Sequence, residues 1–183
     1  MKLLKPLMAW LLFVSALFAS SLAQQHKRDP LTDAEVDQMR EAADYPNKRL
    51  ELLVKFARER MFLLESAAGG TEPDKIKQVH DLLQDFIAIL DEIDDNIDMY
   101  GAHSADMRKG LKLVIEADSE WQLKLRQLKQ KAPPEELQQY SFVLTNASDT
   151  VADSAKTSRE TLEEQNKLAA EKKLTKVYSE RKD

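Results

Sequence analysis

Between Ile76 and Tyr100 the residues Ile76, Val79, Leu83, Phe86, Leu90, Ile93, Ile97 and Tyr100 follow one another at spacings of three and four without a break. An α-helix returns such positions to one side, and a seam this regular is a heptad pattern. A two-stranded coiled coil would carry charge beside the seam, whereas here Leu82, Ile87 and Ile89 widen it. An apolar face that broad needs more than one neighbour to cover it, so the segment predicts the central helix of a bundle.

The remaining helices are set off by punctuation. The chain has only four glycines and six prolines, and most of those beyond the leader fall between apolar-periodic stretches. Thr32-Asp33-Ala34-Glu35 is a capping box with Leu31 and Val36 placed as its staple, which predicts a first helix over about residues 33–43. Pro46 suits a first helical position and opens a second helix that stops at Gly69-Gly70, with Leu50, Leu53, Val54, Ala57, Met61 and Leu64 facing inward. The central helix runs from near Pro73 to Tyr100-Gly101, where glycine suits a left-handed cap. A fourth helix, with Ser104 as its N-cap, carries Met107, Leu111, Val114, Trp121, Leu125 and Leu128 inward and ends before Pro133-Pro134. The fifth begins at Pro134, sets Glu135 and Glu136 against its positive end, and meets no breaker afterwards.

Two places strain this pattern. Asp118 falls where the fourth seam expects an apolar residue; drift from a 3.5 to a 3.6 repeat would turn Ala117 inward and leave Asp118 at the margin, the alternative being a buried polar contact. The fifth helix supplies Leu137, Tyr140, Leu144, Ala147, Val151 and Ala155, but Thr157-Ser158-Arg159-Glu160-Thr161 is too polar for a core, so its second half is expected to be exposed. That half outruns the fourth helix, and its Leu162, Leu168 and Ala169 offer a surface for Val36, Met39 and Ala43 of the first, so the first helix is expected to lie against residues 160–175, or that stretch to mediate self-association if it does not. The fold predicted is all-α: an antiparallel up-and-down bundle of four long helices and a short N-terminal one, with the C-terminal helix extended beyond the bundle.

Lys2 and Lys5, the apolar run Leu7 to Ala19 and the small-residue pattern Ser21-Leu22-Ala23 have the form of a secretory signal peptide. The apolar run is too short for the roughly 20 residues of a bilayer-spanning helix, so no stable membrane anchor is expected after cleavage. The organisation expected is a signal peptide over 1–23, a flexible leader over 24–31, the bundle over 32–175 and a charged tail over 176–183. Cleavage after Ala23 would remove 23 of 183 residues and two lysines, leaving 160 residues and taking the formal charge from −5 to −7. Both signs are interspersed, so no surface concentrates positive potential for nucleic acid or anionic lipid. There is no cysteine, which closes off disulfides, thiolate zinc sites, covalent haem attachment and cysteine nucleophiles.

The segment Asp91 to Asp98 holds five carboxylates in eight residues, and Asp94-Asp95-Asn96-Ile97-Asp98 matches DDxxD. It resembles the aspartate-rich magnesium motif of isoprenoid synthases and prenyltransferases. That chemistry needs a larger helical enclosure, usually a second acidic motif, and diphosphate substrates, none of which suits 160 exported residues. The structural expectation is that Asp94, Asp95 and Asp98 fix helix register through salt bridges to Lys48 and Arg49 on one side and Arg108 and Lys112 on the other. His26, His80 and His103 are scattered and make no ligand set by spacing, although a haem held between a histidine and a methionine of the bundle is the alternative to weigh. Asn146-Ala147-Ser148 is formally a glycosylation acceptor but lies inside a helix, and the mixed charges from Glu171 to Asp183 read as a solvated helix end. Leu31-Thr32 resembles in two residues the LTxxQ motif of small periplasmic stress chaperones, with Glu35 where the motif has Gln. The sequence therefore names no catalytic, cofactor-binding or metal-ligating residue and no cofactor. It points to an exported, non-catalytic interaction or structural protein, chaperone-like among other roles, that meets a protein partner or a second copy of itself through helix faces. The alternative is a bundle that holds haem, metal or an apolar molecule.

Overall fold

The periodic stretches become five helices in the computed structural model, which describes residues 29–180 and the side chains of 29–174: α1 (Asp33–Glu41), α2 (Pro46–Gly69), α3 (Lys75–Ala102), α4 (Arg108–Lys131) and α5 (Pro134–Glu180). The segment read as a signal peptide lies outside the described residues.

Side-chain bonds fix the order of the four long helices. α2 and α4 run parallel, tied by Arg58–Glu120 at 3.1 Å and Glu65–Lys124 at 2.9 Å. α3 and α5 are likewise parallel, with Lys75 and Glu136 paired at 2.8 Å. α2 packs on α3 and α4, and α5 packs on the same two, so α3 and α4, although consecutive, face each other across the diagonal of a square. Phe86 of α3 and Trp121 of α4 reach across that diagonal and meet edge to face, ring centroids 5.4 Å apart, a geometry favoured by the ring quadrupoles. The predicted seam is the core: Val79, Leu83, Phe86, Leu90, Ile93 and Ile97 are buried, as are the six inward residues predicted for α2. None of the described helices is long and apolar enough to cross a membrane.

The diagonal step from α3 to α4 changes how α4 begins. Ser104 is not its N-cap. Helix α3 continues through Gly101, which keeps a negative φ, and among the described non-glycine residues only Ser104 has a positive φ, 55°. The free N–H groups at the start of α4 are met mostly from elsewhere in the fold. Asn47 Oδ1 accepts from Gly110 N at 2.8 Å, Gln165 Oε1 from Met107 N at 3.0 Å, and Asp106 Oδ1 from Arg108 N at 3.1 Å. These bonds replace a local cap. Gly110 permits the close approach of α2, since a Cβ there would lie 2.8 Å from the Leu50 side chain and 3.3 Å from Asn47 Cα.

Helix α1 does not lie on residues 160–175 as expected. It packs back along α2, burying Met39 and Ala42 while Ala43 stays exposed. Its capping box forms as predicted, with Thr32 N donating to Glu35 Oε2 at 2.7 Å and Glu35 N to Thr32 Oγ1 at 3.3 Å. The deciding contact is one that apolar periodicity cannot show: Arg60 of α2 bonds both Glu35 oxygens and the Pro30 carbonyl. Arg49 Nη1 donates to Met39 O at 3.0 Å, and the Tyr100 hydroxyl donates to Ala43 O, which ties the α1–α2 turn to α3.

Candidate functional site

On a helix, Asp94 and Asp95 point about a quarter turn apart, with Asp91 and Asp98 between them. The structure separates the segment accordingly: Asp94 is half-buried towards α5, and Asp95 and Asp98 are exposed. The salt-bridged register device is not formed. Arg49 reaches this turn but donates to Asn96 Oδ1 at 2.7 Å; Lys48 pairs with Glu51 at 3.2 Å and Arg108 with Asp106 at 2.6 Å. That last pair holds the Asp106 carboxyl down at about 2, chiefly through hydrogen bonds from Arg108. Arg108 and Lys112 lie on α4, which is consecutive with α3 but stands across the diagonal from it, out of register with the acidic turn. Among the described residues no group of three or more acidic or histidine side chains is arranged to hold a metal ion.

Asp118 takes the alternative reading. It is fully buried at its seam position, together with Ala117, so the stripe is interrupted by a true core carboxylate. Neither of its oxygens has a hydrogen-bond partner, and the same holds for one oxygen of Asp94, the Trp121 indole N–H and the hydroxyls of Ser154 and Ser158. The polar stretch of α5 is thus partly inside: Ser154 and Ser158 are fully buried and Leu162 packs against the core. Burial pushes Asp118 up to about 7, with Arg159 opposing the rise and Asp94 adding to it. Asp94 is raised to about 6, first by burial; a nearby Ser154 hydroxyl opposes this, and Asp91, Asp98 and Asp153 reinforce it.

The other buried ion contrasts with this. Glu35 is desolvated too, but hydrogen bonds from Arg60 and Thr32 outweigh that, and its carboxyl sits below the ordinary value.

The histidines do not converge. His80 lies half-buried in the second turn of α3 and His103, exposed, just past its end, about 35 Å apart along the axis at 1.5 Å per residue. Met39, Met61 and Met107 are core residues. Asn146 is exposed within α5, while Ala147 is buried and the Ser148 hydroxyl donates to Leu144 O at 2.9 Å.

Outside, a groove follows α2 and the edge of α4, floored by Val54, Phe62, Leu63 and Leu113 and rimmed by Lys55 and Arg58. Phe62 is 68% exposed, and on α5 Phe142 is 87% exposed. The rim charges are already matched, in Lys55–Glu59 at 3.7 Å and Arg58–Glu120 at 3.1 Å. Sequence periodicity missed this surface because Phe62 and Leu63 fall off the inward stripe of α2 and read as incidental.

No protein-family model, curated protein or solved structure matches this chain.

Proposed function

We propose that this chain is an exported, non-catalytic interaction protein that binds a protein partner through a helix face. The observation that carries the reading is the groove on α2 and α4, an apolar floor of Val54, Phe62, Leu63 and Leu113 between rims whose charges are internally paired. A rim that cancels its own field does not select a strongly charged partner, so recognition falls to apolar anchors. From Glu51 to Leu63 the groove spans about 18 Å of helix, room for roughly three turns of an amphipathic partner helix. Export rests on the pattern of residues 1–23. The alternative, a ligand in the bundle core, is less well supported: Phe86 and Trp121 meet across the diagonal, and of the described histidines His80 is only half-buried and His103 exposed.

The test is binding of a labelled amphipathic helical peptide, with leucines at i, i+3, i+4 and i+7 and both charge signs on its other face, followed by anisotropy. The wild type should bind it, and Phe62→Asp together with Leu63→Asp should weaken binding at least about tenfold, as loss of central anchors does. Equal binding by wild type and double variant, or none by either, would overturn the reading.

A further inference from the structure

The inner face of α5 changes character along its length. From Tyr140 to Val151 it is apolar, but the buried Ser154 and Ser158 follow, Ser154 close to the Asp94 carboxyl yet without a well-formed hydrogen bond and Ser158 without a partner. The α3–α5 register brings Ser154 level with Asp94, and the Met107–Gln165 bond brings Asp118 of α4 to the same level. Ser158 and the Trp121 indole lie about a turn to either side. Four buried polar side chains, Asp118, Trp121, Ser154 and Ser158, and one oxygen of the half-buried Asp94 therefore stand together with few partners, a condition that native cores seldom tolerate.

The Ser154 and Ser158 hydroxyls and the Trp121 indole can donate to a carboxylate, but they carry no positive charge to offset one, whereas a proton on either acid removes a desolvated charge and adds a further donor. Two ionised carboxylates there would repel each other in a poorly solvated place. We infer that Asp94 and Asp118 form a proton-operated latch: with a proton on the pair, α5 stays seated on α3 and α4, and with both ionised α5 loosens around Ser154 and Ser158. Helix α5 is the one to yield. Its side chains at this level, Ser154, Ala155 and Ser158, are small, so it gives up the least packed surface. Loosening there also withdraws Gln165 from Ala105 O and Met107 N, freeing the start of α4.

The charged groups acting on the pair come from the elements around it. Arg159 of α5 opposes ionic repulsion at Asp118; Asp153 of α5, with Asp91 and Asp98 of α3, adds to it at Asp94. The α2–α4 register set by Arg58–Glu120 brings the apolar Phe56 and Ala57 of α2 to this level. Burial holds the two acids at about 7 and about 6, which puts the transition near neutral pH.

The test uses the full chain. Carboxyl carbon-13 shifts should show two aspartates titrating at about pH 6 and about pH 7, well above the ordinary range. After correction for intrinsic rates, amide protection over residues 150–165 should fall at least about tenfold relative to α2 between about pH 5.5 and about pH 8.5. Asp118→Asn, which mimics the protonated acid, should remove that pH dependence. Should this variant not fold, the wild-type shifts and exchange decide alone. All aspartates titrating below about pH 5, or protection in α5 and α2 changing in parallel, would overturn the latch. So would protection restored at high pH by added Ca2+ or Mg2+, which would make the cluster a cation site.

Discussion

Glu35 and Asp118 are both carboxylates pressed into one bundle, and the chain handles them in opposite ways. Glu35 sits between α1 and α2 with Arg60 on both of its oxygens, and the same guanidinium holds the Pro30 carbonyl. Asp118 lies among α3, α4 and α5 with nothing on either oxygen. The first site spends its polar bonds on fastening a short helix whose apolar face is too small to hold it alone. The second places a carboxylate at full burial with no hydrogen bond and only the Arg159 charge to offset its own. One is a clamp, and the other makes sense only if its charge changes.

The strongest blow to this comparison is to remove the clamp's cation. Arg60→Ala leaves Glu35 desolvated and unpaired, and should cost about 3–5 kcal/mol in urea unfolding near neutral pH, the usual penalty for halving a buried pair. Helix α1 should become susceptible to proteolysis while α3 to α5 stay protected. A loss below about 1 kcal/mol would mean that water reaches Glu35 and that the clamp is ornamental.

The opposite sign is expected at the second site. Asp118→Leu exchanges an uncompensated carboxylate for an apolar side chain at a seam position, and should raise stability by about 1–3 kcal/mol at about pH 8. The gain should shrink in acid. Asp118 has a folded-state value of about 7 against an ordinary 3.8, and Asp94 about 6 against 3.8. The folded protein therefore binds protons that the unfolded chain releases, and stability falls as pH rises through these values. Glu35 works the other way: its value is lowered from 4.5, so its contribution is present above that value and is lost as acid protonates it. Stability against pH should thus be greatest near or below the ordinary carboxylate values, at about pH 4, fall from there to about pH 7 as the unfolded chain releases protons that Asp94 and Asp118 keep, and level off above. Asp118→Leu should flatten the alkaline limb, and Glu35→Gln the acid one. An alkaline limb of undiminished slope in Asp118→Leu would place the responsible groups elsewhere.

What could be read from the sequence follows from which forces have a local signature. Helix boundaries, the α1 capping box and the core faces of α2 and α3 came through because apolar period and turn chemistry act between residues close in the chain. The α1 packing site did not, since Arg60 is an apparently ordinary cation whose partner lies 25 residues away. Nor did the α4 start, capped by Asn47 and Gln165 of other helices. Asp118 was visible as a break in the stripe, but its depth depended on α5 presenting small serines opposite it. The acidic segment misled for a related reason: matching charges across assumed neighbours works only if the neighbours are known.

The smallest effect separates the two readings of that segment. Asp98 is exposed on α3, one turn from Asp94, and its charge is among those that hold the Asp94 carboxyl up. If Asp98 took part in a salt-bridged register device, Asp98→Asn would destabilise the bundle, and salt would erase the loss. The structure predicts the reverse. Removing a like charge beside Asp94 should stabilise the fold at about pH 8 by a few tenths of a kcal/mol, the scale of a surface charge effect. The Asp94 titration should move downward, because its ionised form is less opposed. A change this small is hard to see in unfolding curves but is resolved by the Asp94 carboxyl shift. An upward or absent movement there would detach Asp98 from the buried pair.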